Sequence, residues 1–401
     1  MSSQHPNDRV ARRAARQRQV RRRRQVALLG VAGVLVAILL AWTALGGSGG
    51  SSHTTATTGS SASPSGGTST AAANATAAPS VDPTAKITIA AVGDTMMGSP
   101  QFGLPPANGR YLFSTTSKYL KANVSIVDQE GTLTLNGPSK CAGSSSSVCF
   151  AFKSPPSYAS NLTAAGFTVA NVADNHTFDY GAVGLANTVA ALRRVHLPYT
   201  GLPAQYTIQH VGKAAVAILG FAPYQWCANS LNLPAVRALV SKARRQANVV
   251  IVYFHAGTQG ASAIHVGPGP ESVFGDPQGD IRVLAHTFVD AGADMVIGTG
   301  PHVLRGIEFY RGRMIAYSLG NFVGYRGFGL GGNLSTSAVL QATITAAGKF
   351  VTARLRPVQL DSNGVPSPGG YGISLVQTVS HEDFGTHAAH ISNAGVISPP
   401  A

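Results

Sequence analysis

Five short apolar runs in the chain close on polar residues that can bind metal or move protons. KITIAAV is followed by Gly93-Asp94, VSIVDQ by Glu130-Gly131, and FTVANVA by Asp174-Asn175-His176, with Asp179 three residues on; VVIVYF is followed by His255 and DMVIGTG by Pro301-His302. A lone Asp after a strand usually caps a turn or a helix. Carboxylates, an Asn and several His at successive strand ends are a different matter, because strand ends in an α/β domain converge on one cleft. Oxygen and nitrogen donors gathered there suit a divalent metal such as Mn, Fe or Zn.

The elements that must position these residues can be read from periodicity. KITIAAV, VSIVDQE, GFTVANV, AAVAILGF, NVVIVYF and DMVIGTG are apolar runs of strand length, and amphipathic stretches at 182–195, 235–247 and 280–292 lie between several of them. This alternation predicts an α/β domain with buried strands. Further on, GIEFYRGRMIAYSLGNF reads as a hairpin turning at Arg311 and Gly312, and STSAVLQATIT and FVTARLRPVQL read as further strands. A second sheet or an antiparallel edge is expected there, with 361–401 a C-terminal extension that is largely tail.

Charge and composition divide the rest of the 401 residues. Of the net charge of +14, residues 1–25 supply +8 through nine Arg against Asp8, so the basic balance is local. Residues 26–46 form an uncharged apolar stretch long enough to span a bilayer as a helix. The Arg-rich flank places the N-terminus in the cytoplasm and the main domain outside the cell. The length of the run favours an uncleaved signal anchor over a cleaved signal peptide. Residues 47–85, almost wholly Gly, Ser, Thr, Ala and Pro, read as a disordered tether. The domain proper is expected over 86–360. Membrane orientation explains the Arg cluster, and the exported part carries no base-stacking or groove-reading motif, which argues against nucleic acid as a partner. In an exported domain Cys141 and Cys149 are expected to form one disulfide rather than a metal pair. Cys227 is expected to be a buried apolar residue rather than a nucleophile.

The strings GDTMMGS (93–99), QEGTLT (129–134), NVADNHTFDYG (171–181), VYFHAG (252–257) and GTGPHVLRGIEFYRGRMIAYSLGNF (298–322) together resemble the CapA family. These are bacterial capsule or poly-γ-glutamate synthesis proteins. The resemblance covers roughly 86–330 and implies a four-layer α/β/β/α sandwich of the metallophosphoesterase type. On that basis Asp94 corresponds to the first metal-binding Asp. Glu130 stands where phosphoesterases place a bridging Asp, with Gln129 where the family usually shows Leu. Asn175 and His176 correspond to an Asn-His pair in which Asn binds metal and His acts as general acid. Asp179 is expected to orient His176 or to cap the following helix. His255 and His302 correspond to later ligands, although Ala256, Gln259 and Gly300 depart from the family's Trp, Glu and His.

The resemblance thus implies metal ligands Asp94, Glu130, Asn175, His255 and His302, with His176 and Asp179 as the catalytic pair. Gly300 leaves a second site only Glu130, Asn175 and His255, so one ion is expected to bind better than two. Arg305 and Arg313 are candidates for recognising an anionic group, or are solvated surface. Two functions are compatible with this pattern. One is a membrane-anchored, extracytoplasmic metal-dependent hydrolase acting in the synthesis or export of an anionic polymer such as poly-γ-glutamate. The other is a non-catalytic accessory subunit that binds the nascent polymer or a membrane-bound synthase or export partner.

Overall fold

The computed structural model describes residues 81–144 and 149–400. The basic segment 1–25, the apolar stretch 26–46 and all but the last five residues of the tether lie outside the described residues. Among the described residues no helix is long and apolar enough to cross a membrane.

The first sheet is built around the strand Lys86–Met96. Val124–Gln129, Val169–Asn171 and Tyr199–Thr200 continue it in parallel on one side. Thr336–Thr345 and Phe350–Leu360 extend it antiparallel on the other. Asn321–Gly324 runs parallel to the last residues of Lys86–Met96. A second sheet of six strands has the order Ile307–Tyr310, Arg313–Ala316, Met295–Thr299, Val249–His255, Ala214–Phe221 and Thr207–Val211. Val249–His255 and Met295–Thr299 are buried at every position. Parallel strands covered on both faces require such continuous apolar runs, which is why no polar alternation marks them in the sequence.

Three cores account for the layering. One lies between the sheets and joins Ile87, Ile89 and Ile126 to Val216, Ile251 and Met295. A second packs the outer face of the first sheet, through Val127 and Ala170, against the helices Ala159–Ala165 and Gly181–Arg194. The third packs Leu219, Val252 and Val296 against the helices Leu233–Arg244 and Ile281–Asp290. These last two helices start where the chain supplies acceptors for their orphan amides. Asn232 accepts from the Ala235 amide, and Asp280 accepts from the Val283 amide.

The expected hairpin forms at Arg311-Gly312, both with positive φ, as a two-residue turn between twisted strands requires. The expected C-terminal tail does not exist as such. Residues 361–400 include the helix Gly372–Phe384, and Val396–Ser398 pairs with Phe350–Leu360. Val376, Ile391 and Ile397 enter the core between the sheets. The apolar positions that tie this segment down are few and widely spaced, so composition alone reads as a tail. Cys141 and Cys149 form a disulfide, and Cys227 is buried, with burial pushing its thiol well above the ordinary range.

Candidate metal centre

Parallel register brings the polar residues to one place. Asp94 is opposite Asp128 on one side and Asn321 on the other, Asp128 is opposite Asn171, and His255 is opposite Thr299. Asp94, Asp128, Asn171, His255 and Thr299 stand at or near the carboxyl ends of their strands, Asn321 opens its own strand, and the two sheets meet around Asp94. The close approach depends on Gly93, because a Cβ there would lie 1.7 Å from the Gly320 carbonyl oxygen.

Asp94 is fully buried. Its Oδ1 accepts from the Thr299 hydroxyl and, at 3.1 Å, from the Gly300 amide, and its Oδ2 lies 2.9 Å from His302 Nδ1. Burial opposes the charged form of Asp94, but His302 and then His255 outweigh it and hold the carboxyl below its usual range. Asp128 accepts from Asn171 Nδ2 at 2.5 Å and meets His255 Nδ1 at 2.9 Å. Burial, followed by the charge on Asp94, pushes Asp128 well above the carboxylate range.

Glu130 is buried with both carboxylate oxygens unpartnered, its nearest basic nitrogens being His176 Nε2 at 3.7 Å and His302 Nε2 at 3.9 Å. Burial, then Asp94, Asp174 and Asp128, raise it well above its usual range. Asn175 Oδ1 and His255 Nε2 are likewise buried without a partner. Carboxylate, amide and imidazole atoms left unsatisfied in one buried cluster cost stability as they stand, and together they form the donor set of a divalent cation. The residues therefore fit a metal ion.

Two groups of potential ligands overlap at Asp94. Asp94, Asp128 and His255 form one, and Asp94, Glu130 and His302 form the other, with ligand atoms inside 4.8 Å of one another in each. This partition differs from the sequence-based grouping of His255 with Glu130 and Asn175. Asp128, two residues before Glu130, holds His255 toward Asp94. Gly300 shapes this side of the site: with φ at +106°, a Cβ there would lie 2.9 Å from the Ala256 nitrogen and 3.0 Å from His255 Cδ2. A side chain there, histidine included, is strained by that φ and requires the Ala256 backbone to shift and the His255 ring to give way slightly. His302 itself adopts φ +64°, unusual for a non-glycine residue, and Asn321 Oδ1 faces its Nδ1 at 2.8 Å.

His176 sits beside this cluster. Its Nδ1 is 2.7 Å from Asp179 Oδ2, and Lys140 Nζ reaches Asp179 Oδ1 at 2.5 Å. Burial lowers the His176 imidazole to about 4 against the pull of Asp179, so it is neutral at neutral pH. Asp179 Oδ2, at 2.7 Å, is a closer partner of Nδ1 than Lys140 Nζ at 3.5 Å, which assigns the proton to Nδ1 and leaves the Nε2 lone pair on the Glu130 side. Asp179 also accepts from the Phe152 amide at 2.6 Å, which makes it an orienting group rather than a helix cap. Asp174, pushed up to about 7 by burial and then by Asp128, accepts from the His176 amide and the Thr177 hydroxyl.

Sequence reasoning missed Asp128, Asn171 and Thr299. Strand alternation offered a signal for the first, since positions 128 and 130 face the same way. The two candidate anion-recognising arginines are structural instead. Arg305 is 1% exposed and makes a bidentate pair with Glu271 at 2.9 Å for both nitrogens, with the Ala263 and Thr258 carbonyls taking further donors. Arg313 pairs with Asp294 at 3.1 Å and donates to the Gly348 carbonyl.

Fold and site thus define a two-sheet α/β protein with a buried carboxylate-histidine cluster suited to divalent metal. The family model described as "Bacterial capsule synthesis protein PGA_cap" matches residues 88–326. "Capsule biosynthesis protein CapA" of Bacillus anthracis is 30% identical over 306 residues, covering 71% of this chain and 69% of that protein. A "Probable polyglutamine synthesis accessory protein" of Mycobacterium tuberculosis is 29% identical over 272 residues, covering 59% of this chain and 66% of that protein. Among solved structures, a 5'-nucleotidase precursor from Thermus thermophilus aligns with a TM-score of 0.40 at 12% identity, over 74% of this chain and 59% of that one. The chain belongs to the bacterial capsule synthesis (CapA) protein family.

Proposed function

We propose that the protein is a membrane-tethered, extracytoplasmic metal-dependent phosphoesterase-like enzyme of the metallophosphoesterase fold type, acting in the synthesis or export of an anionic capsule polymer such as poly-γ-glutamate. The observation that carries this reading is the set of buried, unpartnered donor atoms on Glu130, Asn175 and His255 around Asp94. Asp94, Asp128, Glu130, Asn175, His255 and His302 would hold Mn, Fe or Zn. Such an ion would supply charge neutralisation and Lewis-acid polarisation of a phosphoryl group.

The chain's own residues do the rest. Asp179 fixes the His176 ring and its tautomer, and Lys140 fixes Asp179. His176 Nε2 is then the atom that exchanges a proton with the reacting group. Because the resting imidazole is neutral, it first accepts a proton and only then donates one to the departing oxygen. The Cys141–Cys149 disulfide supports an extracytoplasmic domain, since such bonds persist in oxidising compartments. The basic segment and apolar stretch at 1–46 support a single N-terminal anchor with the N-terminus in the cytoplasm. Membrane-bound polymer synthase or export components are the partners this topology would serve.

The description of the mycobacterial relative as an accessory protein favours a second reading, a non-catalytic accessory subunit. Hydrolysis of a generic phosphodiester by the full chain, with and without Mn, separates the two. The enzyme reading predicts metal-dependent turnover that His176→Ala abolishes while metal content stays the same. Absence of turnover with every divalent metal contradicts it.

A further inference from the structure

Two cavities meet over the metal centre and share Phe150, His176, Gln259 and Phe274 as a common wall. The larger, about 630 Å³, extends from Asn175 and His176 to a wall of stacked rings. In that wall Phe178 lies 5.3 Å from Trp226 and Tyr224 lies 5.1 Å from Trp226, centroid to centroid. Trp226 Nε1 donates to the Asp174 carbonyl at 3.0 Å, tying the wall to the loop that carries Asn175. The smaller cavity, about 260 Å³, includes His302 and Asn321 and ends on Phe152, Phe328 and Leu334.

The two jaws between the cavities are apolar and unusually placed. Phe274 is 83% exposed at the tip of the hairpin Glu271–Val273/Asp276–Gly279, with φ at +49°, a conformation that disfavours a bulky residue. Phe150 is 41% exposed and directly follows the disulfide-bonded Cys149. Among the described residues no Arg lines either cavity. Lys140, the one lysine among the described lining residues, is paired with Asp179.

We propose that this cleft selects a phosphodiester-type substrate with two uncharged arms, one on each side of the reacting phosphoryl group. A polar, ring-bearing arm lies against Tyr224 and Trp226, and an apolar arm lies against Phe328 and Leu334. A monoester would leave one cavity empty. A polyanion's repeated charges would find no matching cations, so the cleft takes a neutral-armed precursor rather than the finished acidic polymer. This rests on the phosphoesterase reading above. In the reaction, water's oxygen forms a bond to phosphorus and the bond from phosphorus to one arm's oxygen breaks. That arm leaves as an alcohol carrying one of water's protons, and the other proton goes to solvent.

The test uses the full chain loaded with Mn and two probes, bis(4-nitrophenyl) phosphate and 4-nitrophenyl phosphate. Turnover is measured on the wild type, and calorimetric binding on the His176→Ala variant. The diester is expected to be favoured about tenfold in kcat/KM and in binding, with Phe274→Ser and Phe150→Ser each lowering that ratio severalfold. Poly-γ-glutamate is expected not to compete. No turnover together with a retained binding preference would overturn the phosphoesterase reading alone. Turnover or binding without diester preference, a ratio unmoved by both Phe substitutions, or competition by the polymer would overturn the two-armed cleft.

Discussion

Two buried charged clusters in this molecule behave in opposite ways. Around Arg305, the side-chain nitrogens find Glu271 or a backbone carbonyl, and nothing in the pair is left over. Around Asp94, carboxylates crowd together, and Glu130, Asn175 and His255 keep buried atoms with no partner at all. A satisfied cluster holds the hairpin Glu271–Val273/Asp276–Gly279 to the strand ends. An unsatisfied one stores unfavourable electrostatics that a bound cation would relieve. The contrast separates scaffold from site more sharply than charge or burial taken singly.

The contrast can be broken or sharpened by substitution, beginning with the largest effect. Arg305→Ala strands the carboxylate of Glu271 and is expected to cost about 3–5 kcal/mol in chemical denaturation, with metal affinity of the folded protein unchanged. Saturating Mn acts only on the other cluster. At a free-ion concentration of about 100 times Kd it should add about 2.7 kcal/mol to wild-type stability. Glu130→Gln removes one of the opposed carboxylates and should raise metal-free stability by about 1 kcal/mol while weakening Mn binding. A loss of stability in that variant without metal would mean that Glu130 is a structural acid. Lys140→Met, at a partly exposed pair, should change stability by less than about 1 kcal/mol. Under the proposed phosphoesterase function, its effect should fall instead on the rate of phosphodiester hydrolysis through the orientation of Asp179.

Much of this was legible in the sequence because local pattern and burial agree. The strands Ala214–Phe221 and Phe350–Leu360 and the helix Gly181–Arg194 lie where apolar runs and helical spacing place them. Asp94, Glu130, His176, His255 and His302 come together because all close parallel strands. What sequence did not reveal depends on distant partners. Arg305 is a structural residue because Glu271 lies 34 positions away across the fold. Asp128 is hidden inside an apolar run and gains its meaning from register with Asp94 and Asn171. The C-terminal segment looks like a tail until Val396–Ser398 pairs with a strand more than forty residues earlier.

The central claim is that the Asp94 cluster is a metal centre. Elemental analysis of the purified full chain, beside the Asp94→Asn variant and after equilibration with Mn, Fe or Zn, tests it most directly. The geometry predicts one or two divalent ions per wild-type chain and loss of binding in Asp94→Asn, since that carboxylate belongs to both ligand groups. A wild-type protein that retains none of the three metals, or a variant that retains as much as the wild type, would contradict it.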